Sequence, residues 1–180
     1  MLHRLVQYAR DQQLISEPGF KPKQARWAIV IDKKGAYRGV KELGDTEARR
    51  NLGQTFSMCP DLSQPELKAL GRGARHFLLD NVEVVTLFSE TPKDAKLLAK
   101  HEFFKTLLRQ ASEAMPELGA IADLLDDSSR LSEIRAELTR GKAQETENIT
   151  FFVQARSPAF LIDDGKLRDI DICGDDRSYI

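Results

Sequence analysis

Trp27-Ala28-Ile29-Val30-Ile31-Asp32-Lys33-Lys34-Gly35-Ala36-Tyr37-Arg38-Gly39-Val40 is the stretch whose reading decides the fold. Its first five residues form a short apolar run rich in β-branched side chains, which fit a pleated surface, and they read as a strand. Asp32 to Gly35 has the composition of a hairpin turn in which Gly35 can take positive φ, so Ala36 to Val40 returns antiparallel. The hairpin carries Lys33, Lys34, Arg38 and Lys41 on its tip and outer face. Those cations either meet a polyanion or guard an exposed sheet edge.

Working outward, Leu2, Leu5, Val6 and Ala9 recur at helical spacing, which predicts an opening amphipathic helix that stops before Pro18-Gly19. Phe20 to Arg26 is an extended, basic approach to the strand. Downstream, Asp45 to Arg50 reads as loop or short helix, Gln54 to Met58 as a second candidate strand, and Ser63 to Leu70 as a short helix that Gly71 ends. A long helix starts at Pro92, with Leu97, Leu98, His101, Phe104, Leu107 and Leu108 in one stripe, and Pro116 bounds it. Two further helices cover Glu117–Leu125 and Ser129–Arg140, and Asn148 to Val153 returns to a strand. Hairpin, then helices, then a late strand predicts an α+β fold: a small antiparallel sheet with an N-terminal helix and a helical segment packed beside it.

A chain of 180 residues suits one domain, and at that size it buries about 70% of its unfolded surface. Within it, 1–91 reads as the basic hairpin and loop part, 92–142 as the helical part, and 143–180 as the returning strand with an acidic tail. No run approaches the roughly 18 apolar residues of a membrane span, and the opening helix lacks a signal-peptide block, so a cytoplasmic location is expected. Cys59 and Cys173 stand alone, which argues against a disulfide framework and a thiolate zinc site. The net charge of −1 divides unevenly: 19 Lys+Arg against 13 Asp+Glu through Arg109, and 8 against 15 beyond it. A basic first half facing a polyanion accounts for that split, as does a chance fluctuation on a solvated surface.

Catalytic constellations are not assembled. His3, His76 and His101 are scattered, and His101-Glu102-Phe103-Phe104-Lys105 lacks the second histidine of a zinc-protease helix. Gly71-Arg72-Gly73 starts a G-x-G-x-x-G, but His76 stands in the third glycine's place. The paired acids Asp163-Asp164 and Asp175-Asp176 do not have calcium-loop spacing. No serine sits in a nucleophile elbow. The expectation is a protein that is not an enzyme and uses no cofactor, metal or small-molecule substrate.

What remains is binding, centred on Gly71 to Val85. Two glycines and two arginines there precede Phe77-Leu78-Leu79, and Asp80-Asn81 separates that run from a second, Val82 to Leu87. One reading is a loop that presses N–H groups and guanidinium groups onto phosphate; the other is a helix end, a tight turn and a core strand. Lys68, Arg72 and Arg75, with Lys33, Lys34 and Arg38 of the hairpin, form the candidate phosphate-holding set. Asn81 has both donor and acceptor and either reads a base edge or is a turn residue that tolerates left-handed φ.

The succession of Pro18-Gly19-Phe20, Trp27 to Asp32 with its Gly35 turn, Phe77-Leu78-Leu79-Asp80-Asn81, His101-Glu102-Phe103-Phe104 and Asn148 to Val153 resembles the N-terminal part of the large subunit of type I-C CRISPR Cascade. The resemblance implies a crRNA-guided complex in which this subunit recognises the protospacer-adjacent motif of double-stranded DNA, largely from the minor groove, and aids strand opening. It implies that the Asp80-Asn81 turn probes the groove, with Asn81 reading or wedging, while Arg72, Arg75 and Lys68 hold phosphate. The chain departs from the family where an aromatic residue and Leu-Gly usually follow the Asp-Asn, since Val84 to Phe88 has no glycine. The family protein is also longer, so an N-terminal fragment is expected. The implied partners are duplex DNA and the crRNA-containing Cascade subunits, with no membrane. The alternative function is an assembly module that docks those subunits or the crRNA end without reading DNA.

Overall fold

A computed structural model of the chain describes residues 20–48, 51–61, 77–88, 95–154 and 159–163. The expected helices before Pro18 and over Ser63–Leu70 lie outside these residues, as does the acidic tail after Asp163. The described strands are β1 (Phe20–Ala25), β2 (Trp27–Asp32), β3 (Tyr37–Glu42), β4 (Gln54–Pro60), β5 (Asp80–Asn81), β6 (Asn148–Gln154) and β7 (Ala159–Phe160). The helices are α1 (Val82–Thr86), α2 (Ala95–Ala111), α3 (Pro116–Asp126) and α4 (Ser128–Arg140), with a 3-10 turn at Leu161–Asp163. The class is α+β, as expected. Among the described residues no helix is long and apolar enough to cross a membrane.

The hairpin forms as read: β2 and β3 pair antiparallel with Ile29 opposite Val40, and a bulge between Val30 and Ile31 accommodates Arg38. Asp32 organises its turn. The carboxylate accepts from the backbone N–H of Lys34 at 2.8 Å and of Ala36 at 3.0 Å, and from the Arg38 guanidinium at 2.6 Å. The Arg38 bond, then the Ala36 N–H, hold the Asp32 carboxyl below the usual carboxylate range. Gly35 is at φ 78°, and a Cβ there would stand 2.2 Å from Ala120 Cβ of α3. The turn is thus seated on the helical layer, which leaves no room for a side chain.

Two pairings go beyond what the sequence predicts. The extended approach Phe20–Ala25 is itself a strand, paired antiparallel with β4 in a separate two-stranded sheet. The late strand β6 joins β2 in parallel, Trp27 opposite Ile149 and Ile31 opposite Val153, in a sheet of order β3-β2-β6-β5 with β7 on β6. Parallel neighbours need a long crossover, and the helices supply it.

One face of the large sheet carries Ile29, Ile31, Ile149 and Phe151, all fully buried. The α2 stripe packs there, with Phe104 stacked on Phe151 at 6.3 Å between ring centroids. The opposite face is closed by rings at right angles, Phe56 on Phe160 at 4.9 Å and Phe160 on Phe152 at 5.0 Å. Asp127 caps α4, accepting from Ser129 and Arg130 N–H. At the β3 edge, the outward N–H of Val40 donates to Glu137 of α4 at 2.8 Å. Helix α4 therefore shields part of an edge that lysines alone were expected to guard.

The second apolar run is corrected. Val82 to Thr86 is a helical turn, α1, ended by Leu87 in the left-handed region at φ 53°. Asp80-Asn81 is a two-residue strand and Asn81 is extended, at φ −62° and ψ 147°.

Because Gly35 needs positive φ and abuts α3, Gly35→Ala is expected to destabilise the fold by on the order of 3 kcal/mol, read from urea unfolding. A loss under 1 kcal/mol would show that the hairpin turn is not locked onto the helices.

Candidate nucleic-acid interface

Asn81 is held from several sides. Across the β5–β6 ladder it stands opposite Asn148. The N–H groups that open α1 are taken by backbone carbonyls of the segment before β6: Val82 N–H by Glu147 at 2.8 Å and Glu83 N–H by Glu145 at 3.1 Å. Upstream, Thr150 Oγ1 donates to the Leu78 carbonyl at 2.9 Å. Downstream, the Val84 carbonyl lies 2.9 Å from His101 Nδ1. A carbonyl only accepts, so that nitrogen carries the proton of a neutral imidazole.

The Asn81 side chain does not share in this bonding. It occupies the N-cap position, where an asparagine usually accepts from the following N–H groups, yet it makes no cap bond and has no hydrogen-bond partner among the described residues. Asn81 is half-buried, with its amide not enclosed. A positioned amide with donors and acceptor both available is a recognition group in chemical terms.

The anchor beneath it is the Glu147 carboxylate. It accepts from Arg26 Nη1 at 2.5 Å, Trp27 Nε1 at 2.7 Å and the Gln144 N–H at 3.0 Å. Arg26 also reaches Glu42 at 2.9 Å. Burial by itself would raise the Glu147 carboxyl, but the Trp27, Gln144 and Arg26 bonds outweigh it and hold the pKa below the ordinary value. Gly141 completes the seat, because a Cβ there would come 2.6 Å from the Trp27 ring.

Among the residues expected to hold phosphate, Lys33 and Lys34 are exposed at the hairpin tip, and neither ammonium is paired among the described residues. Arg38 is spent in part on Asp32. Lys68, Arg72 and Arg75 lie outside the described residues. Lys41 stands 5.7 Å from the Phe152 ring centroid, its stem along the sheet face.

A cleft of about 570 Å³ opens where the two sheets meet, walled by Gln24, Arg26, Glu42, Asn51, Glu147 and Asn148. A second, of about 400 Å³, lies between Lys23, Gln24, Thr55 and Asn148, so the two share Gln24 and Asn148. Arg26 is neutralised by two glutamates inside the first cleft, which leaves that floor net acidic and unsuited to phosphate. Three amides, Gln24, Asn51 and Asn148, stand in its walls. The sequence reading missed Asn148, Gln24 and Glu147 as members of the site. Alternation in Asn148-Ile149-Thr150-Phe151 marks Asn148 as off the core face, but only the β5–β6 register brings it to Asn81.

Fold and site together define a small α+β protein with an amide pair on neighbouring strands near the junction of two sheets and exposed lysines at the turn of a hairpin. The family described as CRISPR-associated protein (Cas_Csd1) matches residues 2–172, and the chain belongs to that family, which makes it a component of a CRISPR Cascade complex. A comparison with individually curated proteins finds no match.

Two measurements test the anchoring. Glu147→Ala leaves an indole N–H, a guanidinium and a backbone N–H without their acceptor and is expected to cost on the order of 3 kcal/mol in urea unfolding. The folded-state pKa of Glu147 lies below its unfolded value. Its contribution is therefore fully present above about pH 4.5 and lost progressively below it, as pH falls through the lower folded-state value, a slope that Glu147→Gln should remove. At His101, burial first and then Lys105 lower the pKa, against the pull of the Val84 carbonyl. The unfolded state then binds the proton more readily, so stability is full above about pH 6.5 and declines below it. His101→Gln should flatten the decline between pH 6.5 and 5; an unchanged slope would place the titration elsewhere.

Proposed function

We propose that this chain is the DNA-recognition component of its Cascade complex, acting without catalysis: it reads the protospacer-adjacent motif of double-stranded DNA and aids strand opening. The observation that carries the reading is the Asn81 amide, held by the β5–β6 ladder and by α1 yet without a hydrogen-bond partner among the described residues. Family membership supports the setting, an RNA-guided complex in which guide pairing reads most of the sequence and a protein reads a short flanking motif. In this reading Asn81 meets base edges from the minor groove, where asparagine and arginine side chains are common readers. Lys33 and Lys34 reach phosphate as point charges, Arg38 stiffens the hairpin that carries them, and Lys68, Arg72 and Arg75 add to the same hold.

Assembled Cascade containing the variants tests the division of roles, with duplexes that differ in the flanking motif titrated at several salt concentrations. Asn81→Ala should reduce the preference for the correct motif about tenfold with little change on motif-free DNA. Lys33→Ala with Lys34→Ala should weaken all duplexes alike and lower the salt slope by about 2. Parallel effects of the two variants on every duplex would overturn the assignment. Unchanged DNA binding with loss of subunit co-purification would instead establish the assembly role.

A further inference from the structure

We propose that Asn148 is a second base-reading residue, and that it selects a G·C pair by accepting a hydrogen bond from the guanine 2-amino group. The inference rests on the reading of Asn81 as a minor-groove probe and adds a residue and a chemical preference to it.

Three observations lead there. First, Asn81 and Asn148 are direct register partners on β5 and β6. Side chains so paired leave one face of the sheet with Cβ atoms about 5 Å apart. Successive base pairs are about 3.4 Å apart along the duplex, within the adjustment of two short side chains, so a probe that places one amide at a base pair brings the other to its neighbour.

Second, the orientation of the Asn148 amide is fixed. Its Nδ2 donates to the Gln24 carbonyl at 2.8 Å. That oxygen can only accept, so the amino side of the amide is the side turned to β1, and Oδ1 is the atom left to present. Asn148 borders both clefts at the sheet junction, and its Oδ1 is not enclosed. No other hydrogen bond engages the side chain among the described residues.

Third, an acceptor held in the minor groove discriminates in one direction. A·T and T·A pairs show only acceptors there, while G·C adds one donor, the guanine 2-amino group. Asn148 Oδ1 is thus matched to guanine and opposed to adenine or thymine. Asn81, with neither end of its amide committed, has no such bias. The net-acidic pair of Glu42 and Glu147 around Arg26 keeps phosphate away from the cleft floor and favours base edges over backbone at this point.

Inosine is the probe, because an I·C pair lacks the 2-amino group in the minor groove and is unchanged in the major groove. Inosine is placed at each guanine of the flanking motif in turn, and affinity is measured with assembled Cascade carrying the natural chain, Asn148→Ala or Asn81→Ala. The expected result is a three- to tenfold loss at one position with the natural chain and no further loss at that position with Asn148→Ala. If Asn148→Ala does not fold, Asn148→Ser replaces it, since a serine hydroxyl can donate to Gln24 but is too short to reach the groove. The inference is overturned if no position responds to inosine, or if the response persists undiminished in the Asn148 variant. An inosine response that Asn148→Ala abolishes, alongside an Asn81→Ala chain with every preference intact, would sink the Asn81 reading and leave Asn148 as the reader. An inosine-insensitive complex whose preferences Asn81→Ala still relaxes would do the reverse.

Discussion

The parallel pairing of β2 with β6 is the constraint on which the rest of the structure depends. It joins segments 120 residues apart in the chain at Trp27 and Glu147, and closing so long a loop costs about 4 kcal/mol by the (3/2)RT ln n rule. Burial outweighs that cost. Ile29, Ile31, Ile149 and Phe151 lie fully inside along this one pairing, each contributing roughly 1.5–3 kcal/mol. The Glu147 carboxylate then locks the start of the pairing through Arg26 and Trp27. Once β6 is in place its free side receives β5, which makes Asn81 and Asn148 register partners. The site is thus a product of a long-range pairing, with the intervening helices serving as the crossover and as the lid on the core.

How much of this the sequence shows depends on whether a local signal coincides with the tertiary outcome. Trp27–Ile31 and Asn148–Val153 are β-branched and aromatic, and both are largely buried strands; of the expected α2 stripe, Leu97, His101, Phe104, Leu107 and Leu108 face the core while Leu98 is exposed. Gly35 reads as a turn glycine and is one. Val82-Glu83-Val84-Val85 shows the opposite case. Its valines favour a strand, yet it forms a helical turn, because the Glu147 and Glu145 carbonyls accept its first N–H groups and the turn buries Val82 with Val85. Nothing near residue 82 in the sequence announces those partners. The same holds for β1, a strand built from Lys, Pro and Gln whose stability comes from pairing with β4 rather than from propensity.

The candidate site was legible by residue type and not by arrangement. An asparagine after a buried Phe-Leu-Leu run draws notice as an amide, and the Lys33-Lys34 tip as a cation pair. Their separation into an amide pair on β5 and β6 and a lysine pair at the hairpin turn follows from the sheet order, which periodicity does not contain. Electrostatics reinforces the separation. Of the cations close to the amides, Arg26 is spent on Glu42 and Glu147 while Lys23 walls the second cleft, and Lys33 and Lys34 on the tip are unpaired among the described residues. A duplex approached by such a surface meets long-range attraction at the hairpin and short-range hydrogen bonding at the sheet junction. Those are the separate demands of phosphate holding and base reading.

The unused N-cap gives this arrangement its physical sense. A capping asparagine is worth about 1 kcal/mol to a helix, and α1 forgoes that contribution because backbone carbonyls from the Glu145–Glu147 segment already satisfy its opening N–H groups. The Asn81 amide is left without a partner among the described residues, at a position whose backbone is fixed on both sides. Under the proposed function, an amide so placed would meet a base edge with its backbone ordering already met by folding. A mismatched base would leave that half-buried amide desolvated and unpaired, a penalty larger than the net value of the hydrogen bond itself. Discrimination at such a site therefore comes chiefly from the cost of the wrong partner, and a rigid, uncommitted amide is the arrangement that makes this cost unavoidable.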